Sequence, residues 1–553
     1  MKRRLIIWVG ICLSIAGLGF ITRTADRYFE ISKNMEIFGE LFWKVNQEYT
    51  DETSPTDLMR TGIDAMLGSL DPYTNYYSES QIEYSRLIQS GQYSGIGAEL
   101  DEKGPHIIFA ELVANGPADE AGLRVGDQLL QIDEVQIDSS INIDQARSLL
   151  LGEEGSRTSI SVSRADQVLT LNIKRGGTES QQENVPYYGM VNDSVGYILQ
   201  TGFTRSAASE VAKALQALMD TQELKGLILD LRSNPGGLLD QAVAICNLFV
   251  PQGELIVEMR GRSEGTQNKF RTLFPPLALD LPLAVIVNGS SASASEIVAG
   301  GIQDLDRGII VGQKSFGKGL VQNVKRIDPY NIQMKITVAK YYTPSGRCIQ
   351  AIDYSRRNED GSVDRVADSL IQEFSTRNGR SVFDGGGVDP DILVDKPPYQ
   401  PVTQALLKQK LIFDFTTQFT ETNQEIAPPR IFNVSDDIYQ QFISFVQDQG
   451  FTFSTKSEAQ LVKLQDQIQE EGYDEMLAAR IENIQKQIDQ QKAEDLTTHQ
   501  NEIRALLRKE IINRYYYKQG VIESSFTYDP DIIAAVGILQ EKEKYEKTLQ
   551  TDK

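Results

Sequence analysis

Residues 281–322 contain the side chains best suited to covalent chemistry. An apolar run predicts a buried strand, a loop of small residues follows, and a helical pattern begins near Ser293 and fades near Asp304. A serine at that position would lie at a helix N-terminus, where unpaired N–H groups favour negative charge. Lys318 follows between two glycines, and a hydroxyl near an amine is suited to acyl transfer. The same spacing also fits a serine-rich helix cap and a surface lysine, so spacing alone does not select an enzyme.

The small number of histidines narrows the choice of catalytic base. The chain of 553 residues has only two, His106 and His499, and neither lies in residues 281–322. A Ser-His-Asp hydrolase needs a histidine beside its nucleophile, so this class is disfavoured. The same count excludes histidine-rich metal sites, and the three cysteines show no zinc-binding spacing. We therefore expect no metal and no cofactor.

The overall composition is that of a globular protein with several domains. Apolar residues make up 40% of the chain, and the length allows more than one sizeable core. The formal net charge is −22, which argues against binding of nucleic acid through a general basic surface.

The N-terminus combines a basic start with an apolar run. Lys2, Arg3 and Arg4 precede residues 5–21, a pattern typical of a cytoplasmic N-terminus with an exported remainder. The run is short for a membrane span and long for a signal-peptide core, and no A-x-A cleavage site follows it. We favour the interpretation that residues 1–24 are an uncleaved anchor in the inner membrane; a cleaved signal is the alternative. The rest of the chain would then be periplasmic or extracytoplasmic.

Three segments of predicted secondary structure surround or contain the candidate reactive residues. Residues 25–89 have helical periodicity, and residues 185–395 alternate strands with helices, which predicts right-handed crossovers in a layered α/β core. Residues 396–553 are rich in Gln, Glu and Lys and predict a helical extension. In this extension we predict helices over residues 406–413, 438–445, 458–471 and 475–496. Its role is stabilising packing by default; dimerisation and a cover that restricts substrates are the alternatives.

Residues 90–176 resemble a PDZ domain. The runs YSGIGA at 93–98, GPADEAGL at 116–123 and VGDQLLQID at 125–133 occur in the order of that module. In PDZ domains a glycine-rich loop presents backbone amides to the terminal carboxylate of a peptide, which adds as a strand. The resemblance assigns this role to Gly95, Ile96, Gly97 and Ala98. The alternative is a small β-rich domain that only packs.

Five motifs follow one another along the core: LILDLRSNPGG at 227–237, SASASEI at 291–297, SFGKGLVQ at 315–322, YYTPSGR at 341–347 and GGGVDPDI at 385–392. Together they resemble those of the C-terminal processing peptidases, also called tail-specific proteases. The resemblance extends from about residue 48 to residue 394 and leaves the helical tail outside. It implies an α/β serine-protease core with strand–helix repeats like those of crotonase and Clp folds, an inserted PDZ domain, N-terminal helices and a helical C-terminal extension.

The resemblance also assigns the catalytic dyad. It places the nucleophile at Ser293, the middle serine of its run, and the base at Lys318. A free lysine has a pKa of about 10.4, so a water-poor site must lower that pKa for the amine to act as a base. Gln322 would share a strand face with Lys318 and could hold its amine in line.

Two backbone amides are needed to stabilise the developing oxyanion. The Ala294 amide at the helix start is one candidate, and Gly236 or Gly237 would supply the other; the residues do not decide between the two glycines. Both glycines also fit a simple strand-to-helix turn. Arg232 and Asp304 match family positions too, and we assign them structural ion pairs.

These assignments imply a serine endopeptidase that takes protein or peptide substrates with free C-termini. Two other functions remain open: a non-catalytic PDZ scaffold on a protease-like core, and a different α/β hydrolase or a crotonase-like enzyme acting on small acyl substrates. A homo-oligomer is compatible with all three.

Overall fold

The computed structural model describes residues 27–77, 93–165, 167–176, 184–221, 223–329, 332–354, 357–358, 362–472 and 475–550. These residues divide into two compact units, one containing the chain up to residue 77 with segment 324–336, and the other containing the remainder. The proposed anchor over residues 1–24 lies outside the described residues. Within the described ranges, no helix combines the length and apolar character needed to cross a membrane.

The described residues of the smaller unit form two helices, a short strand and the strand segments of residues 324–336. The helices extend over residues 27–48 and Pro55–Gly68, and the second begins with the Ser54 hydroxyl accepting the Asp57 amide at 3.3 Å. The strand Asn75–Tyr77 pairs antiparallel with residues 333–335. The helical periodicity predicted over residues 25–89 is confirmed for residues 27–48 and 55–68, and the part beyond residue 77 lies outside the described residues.

The PDZ region forms an antiparallel sheet with two helices. In spatial order its main strands are Ala98–Lys103, His106–Leu112, Gln128–Ile132, Arg157–Arg164 and Gln167–Lys174. The helices are Pro117–Glu120 and Ile143–Leu150, and short strands lie at Val135–Gln136, Tyr93–Ser94 and Gly152–Glu153. The first strand is at the edge of the sheet, as strand addition by a peptide requires.

A six-stranded sheet, here called the central sheet, organises the larger unit. Its strands, in spatial order, are Tyr187–Met190, Val195–Leu199, Gly226–Asp230, Leu283–Val287, Ile309–Gly312 and Ile392–Leu393. Only the first pair is antiparallel. Every residue of the two middle strands is buried, because helices cover both faces.

One face of the central sheet packs against the helices Ala207–Met219, Leu239–Asn247 and Ala294–Asp304. The other face packs against Phe526 and apolar side chains of the last two helices, including Ile532, Ile538 and Tyr545. The C-terminal extension therefore supplies the second helical layer of the α/β core.

Two strands that the alternation over residues 185–395 predicted for the layered core, one over 255–259 and one over 332–342, lie in a separate sheet. Leu255–Gly261 pairs with Asn268–Arg271 and with the end of Ile332–Tyr342. Leu320–Ile327 pairs with Ile332–Tyr342 as well. Alternation along the sequence predicted these strands but could not assign each one to a sheet, because pairing between strands distant in sequence is set by tertiary packing.

The C-terminal extension is helical, as predicted. Its helices are Pro401–Lys408, Leu411–Thr422, Asp436–Asp448, Lys456–Glu471, Glu475–Thr498, Gln500–Ser525, Pro530–Gln540 and Lys542–Thr548. The single helix predicted over 406–413 is wrong: the chain breaks at Lys410, which has a φ of +60°. The last three helices were not predicted. Pro530–Gln540 is apolar on most of its surface, a pattern typical of a buried helix.

Candidate active site

Ser293 lies at a strained turn between the central strand Leu283–Val287 and the helix Ala294–Asp304. Its φ is +58°, a left-handed conformation that is costly for a residue with a side chain. The Ala294 amide begins the helix, where the dipole favours negative charge. The turn therefore combines a hydroxyl with an anion-binding helix start, as the spacing predicted.

The three serines of the SASAS run occupy different environments. Ser291 and Ser295 are fully buried. The Ser291 hydroxyl donates to the Leu231 carbonyl at 2.7 Å, and the Ser295 hydroxyl donates to the Asn234 carbonyl at 2.9 Å. Ser293 alone of the three is partly exposed. The outer serines are thus packing residues, while Ser293 is partly accessible to solvent.

Residues 234–237, here called the glycine turn, pack directly against the serine turn. A methyl group added to Gly236 would lie 2.8 Å from the Ala294 nitrogen and 2.8 Å from the Ser293 Cβ. The φ of Gly236 is +97°, so this close approach and this conformation both require glycine. The Gly236 amide donates to the Asn234 Oδ1 at 2.9 Å. The structure therefore brings Gly236, Ser293 and Ala294 together.

Lys318 lies in the loop that precedes the strand Leu320–Ile327. Its backbone is held on both sides, because its amide donates to Glu296 at 2.8 Å and its carbonyl accepts the Tyr341 hydroxyl. The Lys318 side chain is partly buried. The loop is further attached to the serine region, since the Phe316 amide donates to the Ser291 carbonyl at 3.0 Å.

The Glu296 carboxylate joins the serine turn to the lysine loop. Its Oε2 accepts the amides of Ser293 and Lys318, each at 2.8 Å. Its Oε1 accepts the Ser315 hydroxyl at 2.6 Å and the Gly317 amide at 2.7 Å. Burial raises the pKa of this carboxyl, and the four hydrogen bonds oppose that rise. Glu296 thus holds the serine and lysine segments at a short, defined separation.

Glu296 was missed as a site residue by reasoning from the sequence. The S-x-x-E spacing from Ser293 to Glu296 is a local helix-start signal. That signal predicts the hydrogen bond to Ser293, but it contains no information about residues 315–318, which come after the next strand. Only the packing of the two segments reveals the three contacts with Ser315, Gly317 and Lys318.

Gln322 lies on the strand, whereas Lys318 does not. The Gln322 Nε2 donates to the Leu320 carbonyl at 3.2 Å and to the Thr337 hydroxyl at 3.3 Å. The expectation that one strand face carries both Lys318 and Gln322 is wrong, because the regular strand begins only at Leu320. The orienting role of Gln322 therefore stays a prediction.

Arg232 and Asp304 both make the ion pairs expected of them. Arg232 pairs with Asp230 at 2.6 Å, at the end of the central strand. Asp304 pairs with Arg347 at 2.8 Å, and both side chains are fully buried. The second pair joins the end of the serine helix to the YYTPSGR motif.

The predicted peptide-binding loop lies at the start of the PDZ edge strand. The Ile96 and Gly97 carbonyls accept the Ala118 amide at 2.8 Å and the Val113 amide at 2.9 Å, so the rest of the domain holds the loop in shape. The Ile96 side chain is buried in the PDZ core. Gly95 precedes these residues and Ala98 begins the edge strand.

We predict that Glu296→Gln lowers kcat for peptide cleavage about 100-fold, because a positioned electrostatic contact near the reaction centre is typically worth that much. The amide would keep the shape but offer a single acceptor oxygen to four donors, and a buried unpaired donor costs about 1–3 kcal/mol. The midpoint temperature of thermal unfolding should therefore fall as well.

Glu458→Gln is a matched control for this prediction. Glu458 has the same local position, three residues after a helix cap, and accepts the Thr455 amide at 2.6 Å. None of its hydrogen bonds in the described part of the chain reaches the serine turn. Because sites without shared contacts act independently, kcat should stay within about twofold of that of the unmodified protein. An equal loss in both variants would contradict a linking role for Glu296.

Comparisons with known proteins agree with the fold. The profile described as Peptidase family S41 matches residues 194–356, and a PDZ-domain profile matches residues 108–164. A profile described as "Probable PDZ-protease, C-terminal helical domain" matches residues 402–539. The expected fold class, an α/β peptidase core with a PDZ domain and helical regions, is confirmed.

Two relatives of similar sequence show the family. A carboxy-terminal-processing protease of Bartonella bacilliformis is 35% identical over 323 residues, which are 58% of this chain and 73% of that protein. A carboxyl-terminal-processing protease of Synechocystis sp. is 35% identical over 339 residues, 55% of this chain and 75% of that protein. The solved photosystem II D1 C-terminal processing protease aligns over 65% of this chain and 92% of that chain, with 23% identity and a TM-score of 0.36. The chain belongs to the carboxy-terminal processing proteases of peptidase family S41, and it carries a PDZ domain and a C-terminal helical domain.

Proposed function

We propose that this protein is a serine endopeptidase in which Ser293 and Lys318 form the catalytic dyad and the PDZ domain captures unstructured C-terminal tails. The single observation that supports the dyad best is the shared Glu296 contact. One oxygen of Glu296 accepts both the Ser293 and the Lys318 amide at 2.8 Å, so the two backbone nitrogens lie within twice that distance. A lysine loop held this close to the accessible serine is the arrangement that a Ser–Lys mechanism needs.

The reaction proceeds through an acyl-enzyme. The Ser293 hydroxyl attacks the scissile carbonyl carbon while the neutral Lys318 amine takes the hydroxyl proton. The tetrahedral intermediate collapses with cleavage of the C–N bond, and the leaving amine receives the proton from Lys318. Water then attacks the ester with Lys318 as base, which releases the new C-terminal acid and restores Ser293.

The Ala294 and Gly237 amides stabilise the oxyanion in this proposal. The Gly236 amide already donates its hydrogen bond to Asn234, so Gly237 is the better candidate of the two glycines for the second oxyanion donor. Gly236 is still required, because its close contact with the serine turn leaves no room for a side chain. Gln322 assists by orienting the lysine amine.

The PDZ domain supplies substrate capture. The amides of residues 95–98 bind the free carboxylate of a tail, and the tail adds to the edge strand Ala98–Lys103. Arg147 donates to the Leu100 carbonyl at 3.1 Å, and this hydrogen bond must break before an added strand can bind the same carbonyl. The basic and apolar N-terminus supports attachment to the inner membrane, with the catalytic part outside the cytoplasm.

A pair of synthetic unstructured peptides tests this function. The two would share one sequence of about 30 residues and differ only in ending as a free carboxylate or as a carboxamide. We expect the enzyme to cleave both internally, with KM about tenfold lower for the free acid, since loss of one charge-assisted contact costs about 1.4 kcal/mol or more. Mass spectrometry identifies the new termini.

A fluorophosphonate probe separates the rival functions in the same samples. Labelling of Ser293, located by peptide mapping, accompanies an active dyad. Binding of the free-acid peptide with neither cleavage nor labelling would instead identify a PDZ scaffold. Turnover of small thioesters, with no cleavage of the peptides, would identify a crotonase-like enzyme.

A further inference from the structure

Arg232 connects the catalytic region to the C-terminal helices. It lies two residues before the glycine turn, and its Nη1 donates to the Asp529 Oδ2 at 2.7 Å and the Asp531 Oδ2 at 2.8 Å. Its remaining nitrogens bind Asp230 at the end of the central strand. Two of the three carboxylates around this guanidinium therefore come from the C-terminal extension. We call Asp529 and Asp531 the acidic pair.

Stability alone does not explain the acidic pair, because burying charges costs folding free energy. The Asp230 and Asp531 side chains are only 1% exposed, and Asp531 also binds Lys396. The Asp531 Oδ1 is buried, and no residue in the described part of the chain hydrogen-bonds to it. Buried ion clusters are often no more stable than an apolar replacement, because removing charges from water costs several kcal/mol per ion. A cluster of this kind is better explained by what it positions.

The segment that follows Arg232 is hydrogen-bonded to both sides of Ser293. Before Ser293, the Ser233 amide donates to Asn288 at 2.9 Å, and the Ala292 amide donates to the Asn234 carbonyl at 3.0 Å. After it, Ser295 donates to that same carbonyl. A displacement of the Arg232 backbone would therefore alter the approach of the glycine turn to the nucleophile.

We infer that Asp529 and Asp531 are positioning residues for the peptidase reaction, because through Arg232 they hold the glycine turn against Ser293. The inference rests on the proposed function and adds to it a contribution from the C-terminal helical domain. Oxyanion donors are effective only when they are held in place, and a misplacement of about 1 Å can cost about 100-fold in rate.

Neutral variants of the acidic pair should leave this segment docked. The helix Pro530–Gln540 packs on the central sheet through Ile532, Ala535 and Ile538, all of them buried. These apolar contacts do not depend on the carboxylates. A change in activity can therefore be separated from loss of the fold, with far-UV circular dichroism and thermal unfolding as the check.

The test measures peptide cleavage and fluorophosphonate labelling in the full chain carrying Asp529→Asn and Asp531→Asn together. We expect kcat and the labelling rate to fall at least about tenfold, while KM for the free-acid peptide changes less than about threefold, since the PDZ groove is untouched. Asp531→Glu, which restores a carboxylate, should recover part of the loss. The matched control is Asp437→Asn, an exposed carboxylate in the first turn of another C-terminal helix, which should leave both rates unchanged.

A double-mutant cycle with Arg232→Gln tests the route of the effect. If the acidic pair acts through Arg232, the variant carrying all three changes should have a kcat little lower than that of Arg232→Gln alone. Independent, multiplying effects would overturn the inference, as would a double variant with kcat within twofold of the unmodified enzyme. If the double variant does not fold, the same measurements are made on Asp529→Asn alone, because the Asp529 side chain is 18% exposed and that of Asp531 only 1%. An unmodified enzyme that cleaves nothing would refute the proposed function; an active enzyme insensitive to these changes would refute this inference alone.

Discussion

Replacing Ser293 by alanine is expected to abolish cleavage, with a fall in kcat of about four orders of magnitude or more, the scale found when a serine nucleophile is removed. The reason is that the acyl-enzyme cannot form without the Ser293 oxygen. The fold should survive, because the Ser293 amide, which binds Glu296, is unchanged by the substitution. Steady-state cleavage of the free-acid peptide and fluorophosphonate labelling provide the measurements.

Neighbouring serines supply the controls for this result. Ser290 is exposed, and Ser290→Ala should keep full activity. Ser291→Ala removes a buried hydroxyl bonded to the Leu231 carbonyl and should lower the free energy of unfolding by about 1 kcal/mol without abolishing labelling. Labelling that persists in Ser293→Ala and disappears in Ser291→Ala would show that the nucleophile has been assigned to the wrong serine.

Lys318→Ala is expected to have the second-largest effect, a loss of about 1,000-fold or more in kcat, because general base catalysis contributes about 100- to 10,000-fold. The loop should keep its position, since Glu296 and Tyr341 hold the Lys318 backbone and not its amine. Binding of the free-acid peptide, measured by fluorescence anisotropy, should be unchanged. The substitution thus separates catalysis from capture.

Lys318→Arg provides the sharper comparison. Arginine retains the positive charge but cannot lose its proton at accessible pH, so it should be as inactive as alanine if Lys318 acts as a base. Lys314→Ala is the matched control, because Lys314 is exposed on the same loop and pairs with Asp389 at 3.1 Å. Substantial activity in Lys318→Arg would mean that the site needs the charge and not proton transfer.

Several features of the fold and the site were predictable because their signals are local. A continuous apolar run predicted the strand Leu283–Val287, and a helical pattern from near Ser293 to near Asp304 predicted the helix Ala294–Asp304. The two histidines disfavoured a histidine base. The choice of Ser293 over Ser291 and Ser295 came from family motifs, and the burial of the two outer serines agrees with it.

The Glu296 contacts were not predictable in full. Residues 293–296 carry a helix-start pattern that any capped helix could have. The contacts with Ser315, Gly317 and Lys318 arise because the chain passes through another strand and returns beside the serine helix. Which buried carboxylate meets which amides depends on that return path, and no short-range pattern encodes it.

The sequence by itself determined the chemistry available in residues 281–322, the order of the domains and the family to which the core belongs. These depend on residue types and on periodicities within one element, which are local properties. Only the tertiary structure decided that Glu296 joins the serine and lysine segments, and that the last helices cover the central sheet and bring Asp529 and Asp531 to Arg232. The physical reason is that burial and charge pairing between segments nearly 300 positions apart depend on how the whole chain packs.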